Sequence, residues 1–139
     1  MHDPFKSPKR PWSRKKVRPA EAGRHDVKFY KKKLWLGLRQ QKLWMNPYCE
    51  ISEAYGKLFD GEHVDHIVPR SKGGSDVDPR NLMTLSQIIH GKKSGLERIR
   101  GCLVDTKSTP YGLVPVRREE IIEELGKAIW GKMPDYPLD

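Results

Sequence analysis

The sequence predicts an α+β chain: a small strand–loop–strand–helix unit, a helix before it, an amphipathic helix after it and a basic arm in front. Three observations predict this. The run His63-Val64-Asp65-His66-Ile67-Val68 reads as a strand that Pro69 stops, and Asn81-Leu82-Met83-Thr84-Leu85 reads as a second. The stretch Ser71-Lys72-Gly73-Gly74-Ser75-Asp76 between them is a flexible turn. Ser86 then stands where a helix N-cap belongs, opening a helix from Gln87 to about Lys93.

Taken in order, residues 1–26 form an arm. Pro4, Pro8, Pro11 and Pro19 alternate with Lys6, Lys9, Arg10, Arg14, Lys15, Lys16 and Arg18. Proline and charge at this density prevent a packed core, so the arm is expected to be disordered or extended until a partner binds. Trp12 is its one residue able to stack on a base. Residues 28–45 read as a helix, because Trp35, Leu38 and Met45 recur near helical spacing with Leu34 beside them. That stripe is expected to be core, with Lys31, Lys32, Arg39 and Lys42 as a basic face. Asn46-Pro47 ends the helix, since a residue before proline avoids the helical region. A short element starts near Tyr48-Cys49-Glu50-Ile51, followed by a polar loop with Gly56 and Gly61.

After Gly101 the character changes. Residues 101–116 hold Gly101, Pro110, Gly112 and Pro115 and read as a linker or irregular strand. Residues 117–130 read as an acidic amphipathic helix whose apolar face, Ile121, Ile122, Leu125, Ala128 and Ile129, pads the core. The tail from Met133 to Pro137 is expected to be loose. The expected division is arm 1–26, central domain 27–100 and C-terminal extension 101–139.

A length of 139 residues suits one domain with a small core, since hydrophobic content is 36% and charged content 32%. The net charge of +9 is uneven: residues 1–50 hold 14 Lys/Arg against 4 Asp/Glu, and residues 51–139 hold 13 against 14. A basic front half is the footprint of a phosphate-binding partner. Two cysteines, Cys49 and Cys102, exclude a disulfide framework. The sequence shows no signal-peptide pattern and no 18-residue apolar stretch. A cytoplasmic chain without a membrane partner is expected; the oligomeric state is not legible.

The chemistry concentrates at 65–93. Asp65 and His66 are adjacent, Asn81 follows 15 residues after His66, and His90 follows 9 after that. Phosphodiester hydrolysis needs a deprotonated water, a stabilised phosphoryl charge and a neutralised leaving oxygen. A neutral imidazole suits the first task, and His66 is the candidate base. One divalent cation suits the other two, with Asp65 and His90 as candidate ligands. A carboxylate plus an imidazole accepts Mg²⁺, Mn²⁺, Ni²⁺ or Zn²⁺ and leaves positions for water and phosphate. Arg70, Lys72, Arg80, Lys92 and Lys93 around the motif, with Lys15 and Lys16 in the arm, are candidate DNA phosphate contacts. Neighbours on a regular strand point to opposite faces, so Asp65 and His66 can share a site only at a strand end or bulge.

The stretch from Phe29 to Ser94 resembles small phage and prophage HNH endonucleases. The similarity rests on Val64-Asp65-His66-Ile67-Val68-Pro69, Gly73-Gly74, Asn81-Leu82 and His90 with Lys93-Ser94. Phe29-Tyr30-Lys31, Trp35, Leu38-Arg39 and Asn46-Pro47-Tyr48-Cys49 are similar to the lead-in helix. The resemblance implies a ββα-metal fold, with His66 activating water, Asp65 and His90 holding the metal, and Asn81 bracing the loop and orienting His66. It implies DNA cleavage to 5′-phosphate and 3′-hydroxyl ends, and it extends to service beside a phage terminase in DNA packaging. A non-catalytic DNA-binding or terminase-accessory protein on the same scaffold is the alternative reading. Many relatives hold a structural zinc with two CxxC pairs; the corresponding positions here are Cys49, Ser52, Ser86 and Ile89. One thiolate cannot make such a site. No structural zinc is therefore expected, with the 117–130 helix, Trp35 and Trp44 packing in its place.

Overall fold

The computed structural model describes residues 29–30 and 32–134. The basic arm with Trp12, Lys15 and Lys16, the Lys31 position of the basic face and the tail from 135 onward lie outside the described residues. The element order is α1 (Lys33–Met45), α2 (Glu50–Ala54), β1 (His63–His66), β2 (Leu82–Leu85), α3 (Gln87–Arg100), β3 (Thr106–Thr109), β4 (Gly112–Pro115) and α4 (Arg118–Trp130). β1 pairs antiparallel with β2 and β3 with β4, making two small sheets. The chain is thus α+β, with β1, β2 and α3 as a ββα unit. No helix among the described residues is long and apolar enough to cross a membrane.

α1 ends where Asn46-Pro47 requires: the Asn46 N–H closes on Lys42 O, and Pro47 cannot continue the helix. Its expected apolar stripe is core only in part. Trp35 is buried, but Leu34 is 61% exposed and Met45 62%. Trp44 is 83% exposed and does not pack in place of a metal. A helix turns by about 100° per residue, so Trp44, nine positions on, faces away from Trp35.

β1 is two residues shorter than expected, and the reason is chemical. The Ile67 N–H still reaches Asn81 O, but the next residue, Val68, donates its N–H to the side-chain Oδ1 of Asn81 at 2.7 Å. A side chain replaces the ladder there and the strand turns away. The loop then folds back through short 3₁₀ turns at Arg70–Lys72 and Pro79–Asn81. Gly73 adopts φ 89°, and a Cβ on Gly74 would collide with the Val68 carbonyl oxygen. The Gly-Gly pair is what lets the backbone cross itself this closely.

Ser86 caps α3 as expected, its Oγ accepting from Ile89 N. The helix runs past Lys93 to Arg100, with the Lys93–Glu97 ion pair lying along it. Gly101, at φ 78°, ends it. The stretch 101–116, expected as a linker or irregular strand, holds the β3–β4 hairpin. Leu113 in β4 accepts from Ser75 N and donates to Gly73 O, so this hairpin clasps the loop between β1 and β2.

α4 pads the core. Ile121 and Leu125 are fully buried beside Cys49, Ile51, Ile67, Val68, Met83, Leu85, Ile89, Leu103 and Val104. Gly126 lets the Tyr55 ring press against the helix backbone, and the Tyr55 hydroxyl donates to Lys132 O. Of the expected face, Ile122 and Ile129 are partly buried and Ala128 is exposed. A second, smaller cluster joins Phe29, Trp35, Val64 and Leu82 on the other side of the β1–β2 sheet. The four zinc-equivalent positions, Cys49, Ser52, Ser86 and Ile89, are all buried, and Cys49 is a free thiol inside the apolar core.

Candidate active site

Asp65 and His66 leave β1 on opposite sides, as the pleat of a regular strand dictates. Asp65 faces α3. Its Oδ1 lies 3.9 Å from His90 Nε2 and its Oδ2 lies 2.7 Å from Lys93 Nζ. Two ligands on one ion at about 2.1 Å each must lie within roughly 4.2 Å of one another, so Oδ1 and Nε2 fit a shared divalent cation. Both side chains keep a face to solvent, Asp65 at 22% exposure and His90 at 36%. Among the described residues no cluster of three His, Cys, Asp or Glu side chains is poised to hold a metal. A cation held by Asp65 and His90 alone would keep open positions, the feature that lets water and phosphate enter.

His66 faces the small cluster. Its ring is 3% exposed and stacks on Trp35 at 5.1 Å and 22°, with Phe29 and Tyr30 rings near its edge. Nε2 lies 2.9 Å from the Asp76 carbonyl oxygen. A carbonyl only accepts, so Nε2 carries the proton of the neutral ring and Nδ1 carries the lone pair. Burial pushes the His66 pKa below its ordinary value, against the opposing pull of the Asp76 bond and the Asp65 charge. The ring is neutral at pH 7, the form a general base requires.

Asn81 is fully buried and braces the loop. Its Oδ1 accepts from Val68 N, while Nδ2 donates to Val68 O at 3.1 Å and Ser75 O at 2.9 Å. These bonds pin both ends of the Pro69–Gly74 excursion. The His66 ring donates its hydrogen bond to the Asp76 carbonyl rather than to Asn81.

The basic residues divide. Lys72 and Lys92 are exposed. Arg80 is exposed but forked onto Asp78. Arg70 is partly buried, bonded to Asp76 Oδ1 at 2.6 Å with its guanidinium 3.9 Å from the centre of the Phe29 ring. Lys93 is not a surface cation: its side chain is 1% exposed. Its ammonium meets Asp65, Glu97 Oε2 at 2.6 Å and the His66 carbonyl oxygen at 2.9 Å. Three donors with three acceptors leave nothing for a phosphate. Burial would lower its pKa, but the Asp65 and Glu97 carboxylates outweigh this and hold it above the ordinary value.

Sequence reasoning passed over His63, Asp76 and Glu97. His63 stacks on His90 at 4.6 Å and 17°. It stands two residues before Asp65 on a strand, and that period-two spacing was the available signal. Glu97 stands four residues after Lys93, the spacing of a helical ion pair. Asp76 acts on His66 through its main chain, which no side-chain pattern can reveal.

A family model described as HNH endonuclease matches residues 47–95. Among solved structures the chain is similar to one described as the crystal structure of the HNH endonuclease of the deep-sea thermophilic bacteriophage GVE2 with manganese ion. Identity is 26%, coverage is 59% of this chain and 91% of that one, and the TM-score is 0.51. No curated protein matches.

Proposed function

From the premise that residues 47–95 are an HNH endonuclease domain and the chain a nuclease, we propose that it hydrolyses DNA phosphodiester bonds with one divalent cation held by Asp65 and His90. The observation that carries this reading is the pairing of Asp65 Oδ1 with His90 Nε2 at 3.9 Å across β1 and α3. When bound, the cation supplies charge stabilisation for the phosphoryl group and the leaving oxygen. His66 closes β1, and from that strand end it is assigned the proton of the attacking water, taken at Nδ1, while Asp76 O fixes the ring's tautomer. Asn81 keeps the loop that supplies that carbonyl in place. The manganese of the phage relative supports a divalent ion without choosing among Mg²⁺, Mn²⁺, Ni²⁺ and Zn²⁺. Its phage origin supports work on phage DNA, with packaging beside a terminase as the narrower form of the proposal.

The test is a plasmid-nicking assay with Mg²⁺, Mn²⁺, Ni²⁺ or EDTA. Cleavage with at least one metal and none in EDTA is expected; cleavage that survives the chelator overturns the metal role. Calorimetry locates the ion: Asp65→Ala and His90→Ala should each weaken Mn²⁺ or Ni²⁺ binding. Unchanged affinity in both places the metal elsewhere.

For DNA affinity the proposal assigns Lys72 and Lys92 beside the site and the basic arm with Lys15 and Lys16, with Arg70 and Arg80 available on exchange of their carboxylate partners. Residues 1–18 carry seven Lys/Arg against one Asp. Deleting residues 1–26 should flatten the plot of log K against log salt by roughly 0.9 for each phosphate that the arm neutralises. Equal slopes with and without the arm count against it.

A further inference from the structure

Lys93 sits three residues after His90 on α3, and all three of its N–H donors are spent within the site. One meets Oδ2 of Asp65, one the main-chain oxygen of His66, one Glu97. A surface charge pair would do none of this, and a buried lysine is costly unless its partners hold it in place. The ammonium joins the two residues that β1 sends to opposite faces and fastens both to the helix that carries His90. It also occupies one oxygen of the Asp65 carboxylate, the one away from His90. Glu97 balances the ammonium, so Asp65 shares the cation with a second carboxylate and is not neutralised by it alone.

We propose that Lys93 is a positioning residue: it clamps Asp65 Oδ2 and the His66 main chain to α3, so that Asp65 turns Oδ1 alone toward His90, while Glu97 balances the ammonium and leaves the charge of Asp65 for the ion. This rests on the reading that Asp65 and His90 hold the metal. Lys93 touches neither DNA nor the reacting atoms, so its loss acts on kcat rather than on KM for DNA. Removing Glu97 leaves the whole ammonium charge on Asp65, where it opposes an incoming dication.

Two variants test the clamp, each followed by Mn²⁺ calorimetry, kcat and KM on plasmid DNA at saturating Mn²⁺, and thermal melting. Lys93→Met should change Mn²⁺ affinity little, since the lost repulsion offsets the lost orientation of Asp65, while kcat per folded molecule falls by ~10-fold or more, the usual scale for groups that orient ligands. Glu97→Gln should raise the Mn²⁺ dissociation constant ~10-fold on the same scale, although Glu97 is no ligand, and should keep kcat once Mn²⁺ saturates. A purely structural ion pair would lower the melting temperature and move neither quantity. Unchanged kcat in folded Lys93→Met, or an unchanged dissociation constant in Glu97→Gln, overturns the proposal; if Lys93→Met does not fold, Glu97→Gln decides. Asp65→Asn separates the two layers. If it binds Mn²⁺ like the parent, the metal reading fails and the clamp with it. If it loses Mn²⁺ while Glu97→Gln does not change, the clamp alone fails.

Discussion

Replacing His66 with alanine is expected to remove at least ~10²-fold of the cleavage rate, the low end of what a general base contributes, and to leave Mn²⁺ affinity largely intact. The two halves of that expectation come from the pleat of β1. Asp65 faces His90 and Lys93, while His66 faces Trp35 and the Asp76 carbonyl, so the imidazole can be deleted without touching a metal ligand. The deletion also empties space beside Trp35, so rates belong at a temperature well below the variant's melting point. The pH profile gives an independent check. Burial holds the ring's pKa below its ordinary value, and a general base acts in its neutral form. At saturating metal the rate should therefore rise with pH through a midpoint below 6.5 and be flat through neutrality. Full activity in His66→Ala, or a midpoint above 6.5, would remove His66 from the role of base.

The local signals in the sequence marked the ββα unit well. Pro69, the Gly73-Gly74 pair and the Ser86 cap are residues whose backbone chemistry acts within a few positions, and each does in the fold what its chemistry requires. The approach of Asp65 to His90 was legible because motif spacing survives folding, but the distortion that would turn Asp65 and His66 to one face is absent, since β1 keeps its pleat through His66. What was not legible depends on distant chain. Leu34 and Met45 look like core by spacing, yet only tertiary contact decides which arc of α1 is covered, and the sheet reaches Trp35. Gly101, Pro110, Gly112 and Pro115 made 101–116 read as a linker or irregular strand, and its pairing into a hairpin was not legible. In the fold Gly112, at φ 122°, packs against Ser75, where a Cβ would lie 2.8 Å from the Ser75 Cα. Lys93 read as a phosphate ligand because a lysine is normally solvated; the two carboxylates that bury it come from β1 and from a later turn of α3.

Truncation after Gly101 is expected to unfold the nuclease domain, whereas EDTA is expected to abolish cleavage and leave the melting temperature nearly unchanged. In small zinc domains the metal supplies about 10–16 kcal/mol of apparent binding free energy. Here the corresponding positions, Cys49, Ser52, Ser86 and Ile89, are buried, and the apolar core that contains Cys49 and Ile89 is closed by residues beyond Gly101. Leu103, Val104, Val114, Ile121 and Leu125 are each between 0% and 8% exposed. Fully burying one such side chain is worth about 1.5–3 kcal/mol, so five amount to roughly 10 kcal/mol, as much as the whole stability of about 5–15 kcal/mol of a typical domain. The truncation also removes Leu113, whose two main-chain bonds hold Gly73 and Ser75, and Ser75 O is in turn a partner of Asn81. Circular dichroism and thermal melting of the 1–101 chain, beside the full chain with and without EDTA, separate the cases. A cooperative melt of the truncated chain near the parent temperature would show that the C-terminal segment does not carry the fold. A large drop in melting temperature of the full chain on adding EDTA would show that a metal does.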